Sequence, residues 1–119
     1  MHEFIELMPV LESILIIRSW EESNLPLAQS ALAYDLVTVI ARSTISGKRL
    51  TINNLLKQLS YSETGVRKQL QRFIKTEWVR IDQCLTDKRI RYVTAEDKLL
   101  SALKAYAQIR RAPLKAPPS

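Results

Sequence analysis

The sequence predicts a mainly α-helical fold with one small β-hairpin, and three features of its second half support this prediction. A segment from about Thr51 to Gln58 has apolar residues at helical spacing, and a second such segment begins at Ser62 or Glu63. The residues between them favour turns and helix caps. Two β-prone runs, 78–81 and 90–93, then flank a polar tip. Two helices joined by a tight turn and followed by a hairpin form a winged helix-turn-helix.

The N-terminal segment, Met1 to Glu22, is predicted to be an apolar helix that is broken by Pro9 or begins there. A missing N–H costs little at the first helical position. The apolar residues cover more than one face, so the helix must be covered on most sides. A small domain covers only one side, and we expect a second subunit on the other, in a two-fold dimer. The alternative is a wholly buried central helix.

The next helix is predicted to start at Asn24 or Leu25, just before a proline, and to end at about Ser43. Gly47 suits the left-handed residue that ends many helices. Leu50 is a candidate for a short strand beside the later hairpin. The residues expected to face the core are Leu27, Ala28, Ala31, Leu32, Leu36, Val39 and Ile40.

The two helices of the helix-turn-helix are expected to bury one face each. Thr51 can cap the first helix, because its hydroxyl can accept a hydrogen bond from an unpaired N–H of the first turn. The buried face of the first helix is predicted to be Ile52, Leu55, Leu56 and Leu59, and that of the second Val66, Leu70, Phe73 and Ile74.

A last helix is predicted to follow the hairpin and to run to about Arg110. The sequence Thr94-Ala95-Glu96-Asp97 resembles a capping box at its start. The apolar residues of this helix are Leu99, Leu100, Leu103, Tyr106 and Ile109. The expected dimer interface combines the first and last helices through Leu7, Leu11, Ile14, Leu15, Trp20, Leu99, Leu103 and Tyr106.

Residues 1–111 are predicted to form a single domain, since 119 residues with 46% hydrophobic content support one core. Within it, 1–46 and 95–111 form a helical dimerisation part, and 47–94 form the helix-turn-helix and the wing. Residues 112–119 are proline-rich and are expected to be a flexible tail. No apolar run approaches the roughly 18 residues of a membrane span. A single cysteine and a start unlike a secretory signal favour the cytoplasm.

Charge divides the chain into an acidic and a basic part. Residues 1–46 contain two basic and six acidic side chains, a net charge of −4, whereas residues 47–119 contain sixteen basic and six acidic ones, a net charge of +10. This asymmetry favours a polyanion that binds the second part only. A solvated basic surface is the alternative, and the helix-turn-helix pattern favours nucleic acid.

The second helix of the helix-turn-helix is expected to read duplex DNA. Arginine and lysine can bond guanine in the major groove, and glutamine can pair with adenine. Gly65 can allow close approach of the preceding helix or of the DNA, and a helix N-terminus can bind phosphate. For Lys48, Arg49, Arg80 and Arg91 we expect phosphate contact or simple solvation. The predicted DNA-binding residues are Ser62, Thr64, Gly65, Arg67, Lys68, Gln71, Arg72, Lys48, Lys88, Arg89 and Arg91.

The helix-turn-helix LLKQLSYSETGVRKQLQRFIKTEWV and the wing DKRIRYVTAEDKLL resemble those of the MarR-type winged-helix regulators of bacteria. The Asp-x-Arg pair of that family's wing matches Asp87-Lys88-Arg89. The resemblance implies that Arg89 reaches the minor groove while Asp87 holds it in place. It also implies that the helix from Ser62 lies in the major groove and that the flanking helices form a dimer. Glu77 stands where the family often has glycine.

The function predicted is a homodimeric, sequence-specific, duplex DNA-binding transcriptional regulator of a bacterial, phage or plasmid system, located in the cytoplasm with the nucleoid. The alternative is a winged-helix protein–protein adaptor. One histidine, one cysteine and two glycines cannot assemble most catalytic templates, so no enzyme activity, metal or cofactor is expected. We expect Cys84 to be an inert thiol. The sequence identifies no small-molecule effector.

Overall fold

The computed structural model describes residues 2–26 and 30–114, and the elements follow the predicted order. A 3-10 helix precedes the first α-helix. The helices and strands, in chain order, are 3-10 His2–Leu7, α1 Met8–Asn24, α2 Ala31–Ser46, β1 Leu50–Thr51, α3 Ile52–Gln58, α4 Glu63–Lys75, β2 Val79–Gln83, β3 Arg91–Ala95 and α5 Asp97–Leu114. The prediction of a mainly helical chain with a β-hairpin wing is confirmed.

The three strands form one antiparallel sheet in the order β1-β3-β2. Strands β2 and β3 are the two arms of the wing, with Ile81 opposite Val93. The predicted short strand at Leu50 pairs with Val93 on the other side of β3. Because β1 leads directly into α3, this pairing attaches the start of the helix-turn-helix to the base of the wing.

The hydrophobic core lies where α2, α3, α4, the sheet and the start of α5 meet. Its largest fully buried side chains include Phe73, Leu36, Ile40, Leu55 and Leu99. The predicted inward faces of α3 and α4 therefore supply the core, because their apolar residues recur at helical spacing. Of the predicted set, Ile52, Leu56 and Ile74 are partly buried at its edge.

The start of α1 is as predicted, with Pro9 in its first turn and the 3-10 helix before it. Among the described residues, no helix is both long and apolar enough to cross a membrane. Many apolar side chains of α1 are exposed, including Leu11 at 50% and Leu15 at 68% exposure. One side of α1 packs against α5.

The predicted start of α2 is wrong. The helix begins at Ala31, because the Ser30 hydroxyl accepts a hydrogen bond from the Ala33 N–H and caps it there. Asn24 instead ends α1, where its side-chain amide donates to the Trp20 carbonyl. Leu27 and Ala28, predicted to face the core, lie outside the described residues. The helix continues to Ser46 and ends at Gly47, whose φ of 78° is the predicted left-handed conformation.

The predicted capping role of Thr94 is also wrong. Thr94 lies in β3, and its hydroxyl donates a 3.0 Å hydrogen bond to the Asp82 carboxylate on β2. The Glu96 carbonyl accepts from the N–H groups of Leu99 and Leu100, and the helix starts at Asp97, two residues later than a Thr94 cap requires. Helix α5 runs to Leu114, and residues 115–119 of the predicted tail lie outside the described residues.

Glu77 joins α4 to the wing in a strained conformation. Its φ is 65°, in the left-handed region that disfavours side chains. The Glu77 N–H donates to the Ile74 carbonyl and the Trp78 N–H donates to the Phe73 carbonyl, the bond pattern of a Schellman helix end. A glycine, which the MarR-type regulators often have at the position of Glu77, would adopt this φ without strain.

Glu77→Gly is therefore expected to stabilise the protein by about 1 kcal/mol, because the removed strain exceeds the added unfolded-state entropy. Urea denaturation measures this as a higher midpoint at an unchanged slope. Gly47→Ala is the matched control, since nothing lies within 4 Å of the added Cβ and only the φ of 78° opposes it. It should destabilise by a similar amount. A lower midpoint for Glu77→Gly would contradict the strain argument.

Candidate nucleic-acid interface

Helix α4 presents a polar, basic face to solvent. Ser62 fixes its start, because the Ser62 hydroxyl accepts a 3.1 Å hydrogen bond from the Gly65 N–H. Val66, Leu70 and Phe73 hold the opposite face in the core. Gln69 is also buried on that side, which the apolar pattern did not indicate. All five predicted reading side chains are exposed: Thr64, Arg67, Lys68, Gln71 and Arg72.

Gly65 lies close to its own helix cap. A Cβ at this position would be 3.0 Å from the Ser62 Oγ and 3.8 Å from the Leu32 Cδ2 of α2. The neighbours of Gly65 are therefore Ser62 and α2 and not α3, so of the two predicted alternatives the approach of DNA stays a prediction. Helix α4 crosses the domain against α2 as well as against the sheet.

Arg67 is held along α4 by an acidic side chain one turn earlier. Its Nε lies 3.0 Å from the Glu63 Oε1, and the two side chains are 50% and 64% exposed. An exposed pair at this spacing contributes little to stability. It does restrict the orientations of the Arg67 guanidinium, whose remaining N–H groups face solvent.

The wing tip contains the predicted contact between Asp87 and Arg89. The Arg89 Nε and one terminal nitrogen each donate a 3.1 Å hydrogen bond to the Asp87 carboxylate, and the Arg89 backbone N–H donates a third at 3.0 Å. These bonds lower the pKa of Asp87, so the carboxylate is ionised at neutral pH. The Arg89 side chain remains 91% exposed. Asp87 thus fixes the guanidinium and leaves its outer edge open.

One cleft lies between the helix-turn-helix and the wing. It has a volume of about 270 Å³ and contains the three arginines Arg67, Arg89 and Arg91. The remaining lining residues are Thr51, Ile52, Asn53 and Ile90. Among the residues that line this cleft, none is acidic. Three elements of the fold therefore bring positive charge to one surface, which strengthens attraction for an anion.

Lys48 and Lys88 lie at the ends of loops near the sheet and are exposed. The Lys88 carbonyl accepts a 3.1 Å hydrogen bond from the Gln83 side-chain amide, which orders the wing loop and leaves the ammonium in solvent. The phosphate contact predicted for Lys48 and the DNA contact predicted for Lys88 both stay predictions.

Arg49 and Arg80 have structural partners that the sequence analysis missed. The Arg80 Nε lies 3.1 Å from the Asp82 carboxylate, and its NH1 lies 3.2 Å from that of Glu96. These hydrogen bonds, first that to Glu96, raise the pKa of Arg80. Arg49 lies 3.7 Å from Asp82 and 4.0 Å above the Tyr92 ring. Both guanidinium groups therefore brace the sheet, and their contact with phosphate stays a prediction.

Cys84 is a partly exposed free thiol at the end of β2. Its sulfur lies 3.3 Å from the Thr86 hydroxyl, and this hydrogen bond with those to the Thr86 and Asp87 backbones lowers its pKa. Among the side chains that the structure describes, no group of His, Cys, Asp and Glu is arranged to hold a metal ion.

The residues predicted for the dimer interface separate into two groups. Leu7, Leu11, Ile14 and Leu15 are 47–68% exposed and form an open apolar face on the N-terminal helices. Leu99 is fully buried in the core of its own chain, so its predicted dimer contact is wrong. Trp20 stacks on Tyr106 with ring centroids 5.8 Å apart, and both of these side chains, with Leu103, pack against the core.

Comparison with solved structures identifies the fold as a MarR-like winged helix. A transcriptional regulator from Thermotoga maritima matches with a TM-score of 0.62 at 12% identity, covering 95% of this chain and 72% of that one. A MarR family transcriptional regulator from Streptomyces coelicolor, solved in complex with DNA, matches with a TM-score of 0.59 at 20% identity, covering 96% and 74%.

A second MarR family regulator from Streptomyces coelicolor, AbsC, has a TM-score of 0.58 at 19% identity and covers 88% of this chain and 70% of its own. No family model and no curated protein sequence matches the chain. The structural matches confirm the predicted resemblance at the level of the fold.

Proposed function

We propose that this protein binds duplex DNA as a homodimer and regulates transcription. The observation that carries the proposal is the cleft between α4 and the wing, where Arg67, Arg89 and Arg91 meet. The exposed polar side chains of α4 lie on one side of this cleft, and the fixed Arg89 projects on the other. The surface thus presents a helix and a hairpin, the two elements that enter the grooves of DNA.

The dimensions of α4 agree with this role. Its 13 residues form a helix about 20 Å long, and a major groove about 12 Å wide admits a helix. Phosphate contacts from the flanking lysines would fix its position, while α4 contacts base edges. The DNA complex of a structural relative from Streptomyces coelicolor supports the same assignment.

The homodimer is proposed from the apolar face of the N-terminal helices. A contiguous exposed patch of this kind marks an interface in a soluble protein. Two copies related by a two-fold axis would cover it with the same residues from each chain. The two α4 helices would then read two half-sites, so the preferred DNA should be close to palindromic.

The direct test is a fluorescence-anisotropy titration of labelled duplex DNA at several salt concentrations. If six to ten phosphates are contacted, affinity should fall roughly 10³- to 10⁵-fold between 50 and 200 mM salt. Genomic fragments recovered by pull-down supply the specific duplex, and a promoter fusion to a reporter measures regulation. Absence of salt-dependent duplex binding would reject the proposal and favour a protein–protein adaptor.

Arg67→Ala and Gln71→Ala are expected to change sequence preference, whereas Lys48→Ala should weaken all duplexes alike. The first two side chains lie on the exposed face of α4, and each lost base contact should cost about 1–3 kcal/mol at its own base pair. Competition titrations against single-base variants of the recovered site measure this. Equal losses on specific and random DNA for all three variants would show that α4 does not read bases.

A further inference from the structure

Glu63, the first residue of α4, is an acidic side chain on a helix whose exposed face is otherwise basic or neutral. Its side chain is 64% exposed, so no burial explains its orientation. The helix dipole favours an acid in the first turn, and Ser62 already caps the helix there. On a surface that attracts phosphates, however, a carboxylate opposes the attraction. The contact that Glu63 makes with Arg67 offers a reason for its place on this surface.

This contact occupies one side of the Arg67 guanidinium. The Arg67 Nε donates a 3.0 Å hydrogen bond to the Glu63 Oε1. A guanidinium has five N–H donors, one on Nε and four on the two terminal nitrogens. In the part of the chain that the structure describes, no other group accepts a hydrogen bond from Arg67. Both terminal nitrogens of Arg67 are therefore left as a two-pronged donor beside the cleft.

The charges of the Glu63–Arg67 pair cancel, and this affects which part of DNA the pair can bind. A phosphate that approached Arg67 would also approach the Glu63 carboxylate and would be repelled by it. The edge of a base pair carries no net charge, and guanine presents two acceptors, O6 and N7, in the major groove. Adenine presents N7 and the N6 donor, which would face the N–H groups of the guanidinium. The paired Arg67 thus suits guanine better than adenine or phosphate.

The other basic side chains of this surface are arranged differently. Lys68 and Arg72, on the same exposed face of α4, have no ion pair within the described residues, so their charges are available to phosphates. At the wing, Asp87 accepts from both the Nε and one terminal nitrogen of Arg89, which leaves one terminal nitrogen without a partner. Arg67 combines a neutralised charge with two unpartnered terminal nitrogens.

We propose that Glu63 is a positioning residue that makes Arg67 a reader of guanine and keeps it from phosphate. The proposal rests on the DNA binding proposed above, and it adds the base that is read and the residue that selects it. Without the carboxylate, the Arg67 side chain would have to be ordered on binding, which costs entropy. Phosphates would also no longer be repelled. Glu63 therefore raises the preference for guanine and lowers the affinity for DNA of random sequence.

The test measures fluorescence anisotropy with the duplex recovered from genomic fragments, in which 7-deazaguanine replaces each guanine in turn. This replacement removes the N7 acceptor and keeps O6. At one guanine in each half-site, the wild type should bind the modified duplex about ten-fold more weakly. Arg67→Ala should show no such loss, which assigns that guanine to Arg67. Glu63→Ala should reduce the loss to about two- to three-fold and should bind random duplex more tightly than the wild type does.

Glu63→Gln separates the two effects, because it keeps an acceptor for the Arg67 Nε and removes the charge. It should retain most of the 7-deazaguanine loss, yet bind random duplex as tightly as Glu63→Ala does. Asp97→Asn is the matched control, since Asp97 is an exposed acid at the first residue of α5 and does not line the cleft. It should change neither measurement.

A full 7-deazaguanine loss in Glu63→Ala would overturn the role of Glu63 and leave the proposed DNA binding intact. The same conclusion would follow if no guanine showed a loss that depends on Arg67, or if neither Glu63 variant bound random duplex more tightly. Absence of any duplex binding by the wild type would instead overturn both proposals.

Discussion

Leu15→Glu is expected to convert the protein from a dimer to a monomer at micromolar concentration. Leu15 is 68% exposed on α1, on the same face as Leu11 and Ile14. Each leucine buried in an interface contributes about 1.5–3 kcal/mol, and a two-fold axis doubles that contribution. A glutamate there would also bury an unpaired charge in each chain, which costs several kcal/mol more. The dissociation constant should therefore rise by orders of magnitude.

Sedimentation equilibrium measures the mass directly, with twice the chain mass expected for the wild type. Ile45→Glu is the matched control, because Ile45 is 72% exposed on α2, outside the proposed interface, and should leave the dimer unchanged. The Leu15→Glu monomer should also lose affinity for a two-half-site duplex while keeping its helical content. A monomeric wild type, or a dimeric Leu15→Glu variant, would remove the two-half-site proposal.

Asp87→Ala is expected to weaken DNA binding even though it makes the wing more positive. If Asp87 were only a surface acid, its removal would relieve repulsion of the phosphates and tighten binding. In the structure, the Asp87 carboxylate instead accepts three hydrogen bonds from Arg89. Without it, the long arginine side chain would lose its fixed orientation and would have to be ordered on binding.

Arg89→Ala should weaken binding by about 1–3 kcal/mol for each wing and reduce any preference for flanking A·T pairs, whose narrow minor groove attracts arginine. Both variants should fold normally, since the wing tip is exposed. Lys88→Ala, between the two positions, controls for the loss of one exposed charge and should have a smaller effect than Arg89→Ala. Tighter binding by Asp87→Ala, titrated at fixed salt, would reject the orienting role.

Local patterns in the sequence were enough to predict the helix-turn-helix and the wing. Thr51 and Ser62 cap α3 and α4 as their side chains predict, and the apolar stripe of α4 enters the core. The resemblance to the MarR-type wing implied the Asp87–Arg89 contact, and the two side chains are only two residues apart on the hairpin tip. These features depend on hydrogen bonds and periodicities within a few residues, so a linear sequence contains the information.

Which of the remaining side chains are exposed, and which are buried or paired within the chain, depends on the tertiary packing. Arg49 and Arg80 were expected to contact phosphate or to be solvated, yet Asp82 on β2 pairs with both and Glu96, between β3 and α5, pairs with Arg80. Leu99 looked like a dimer contact and is a core residue. Glu21 is buried, which the apolar pattern of the sequence did not indicate. Burial and long-range pairing depend on how the elements pack. Helical spacing predicts the face of the helix on which a residue lies, but it does not predict which other element packs against that face.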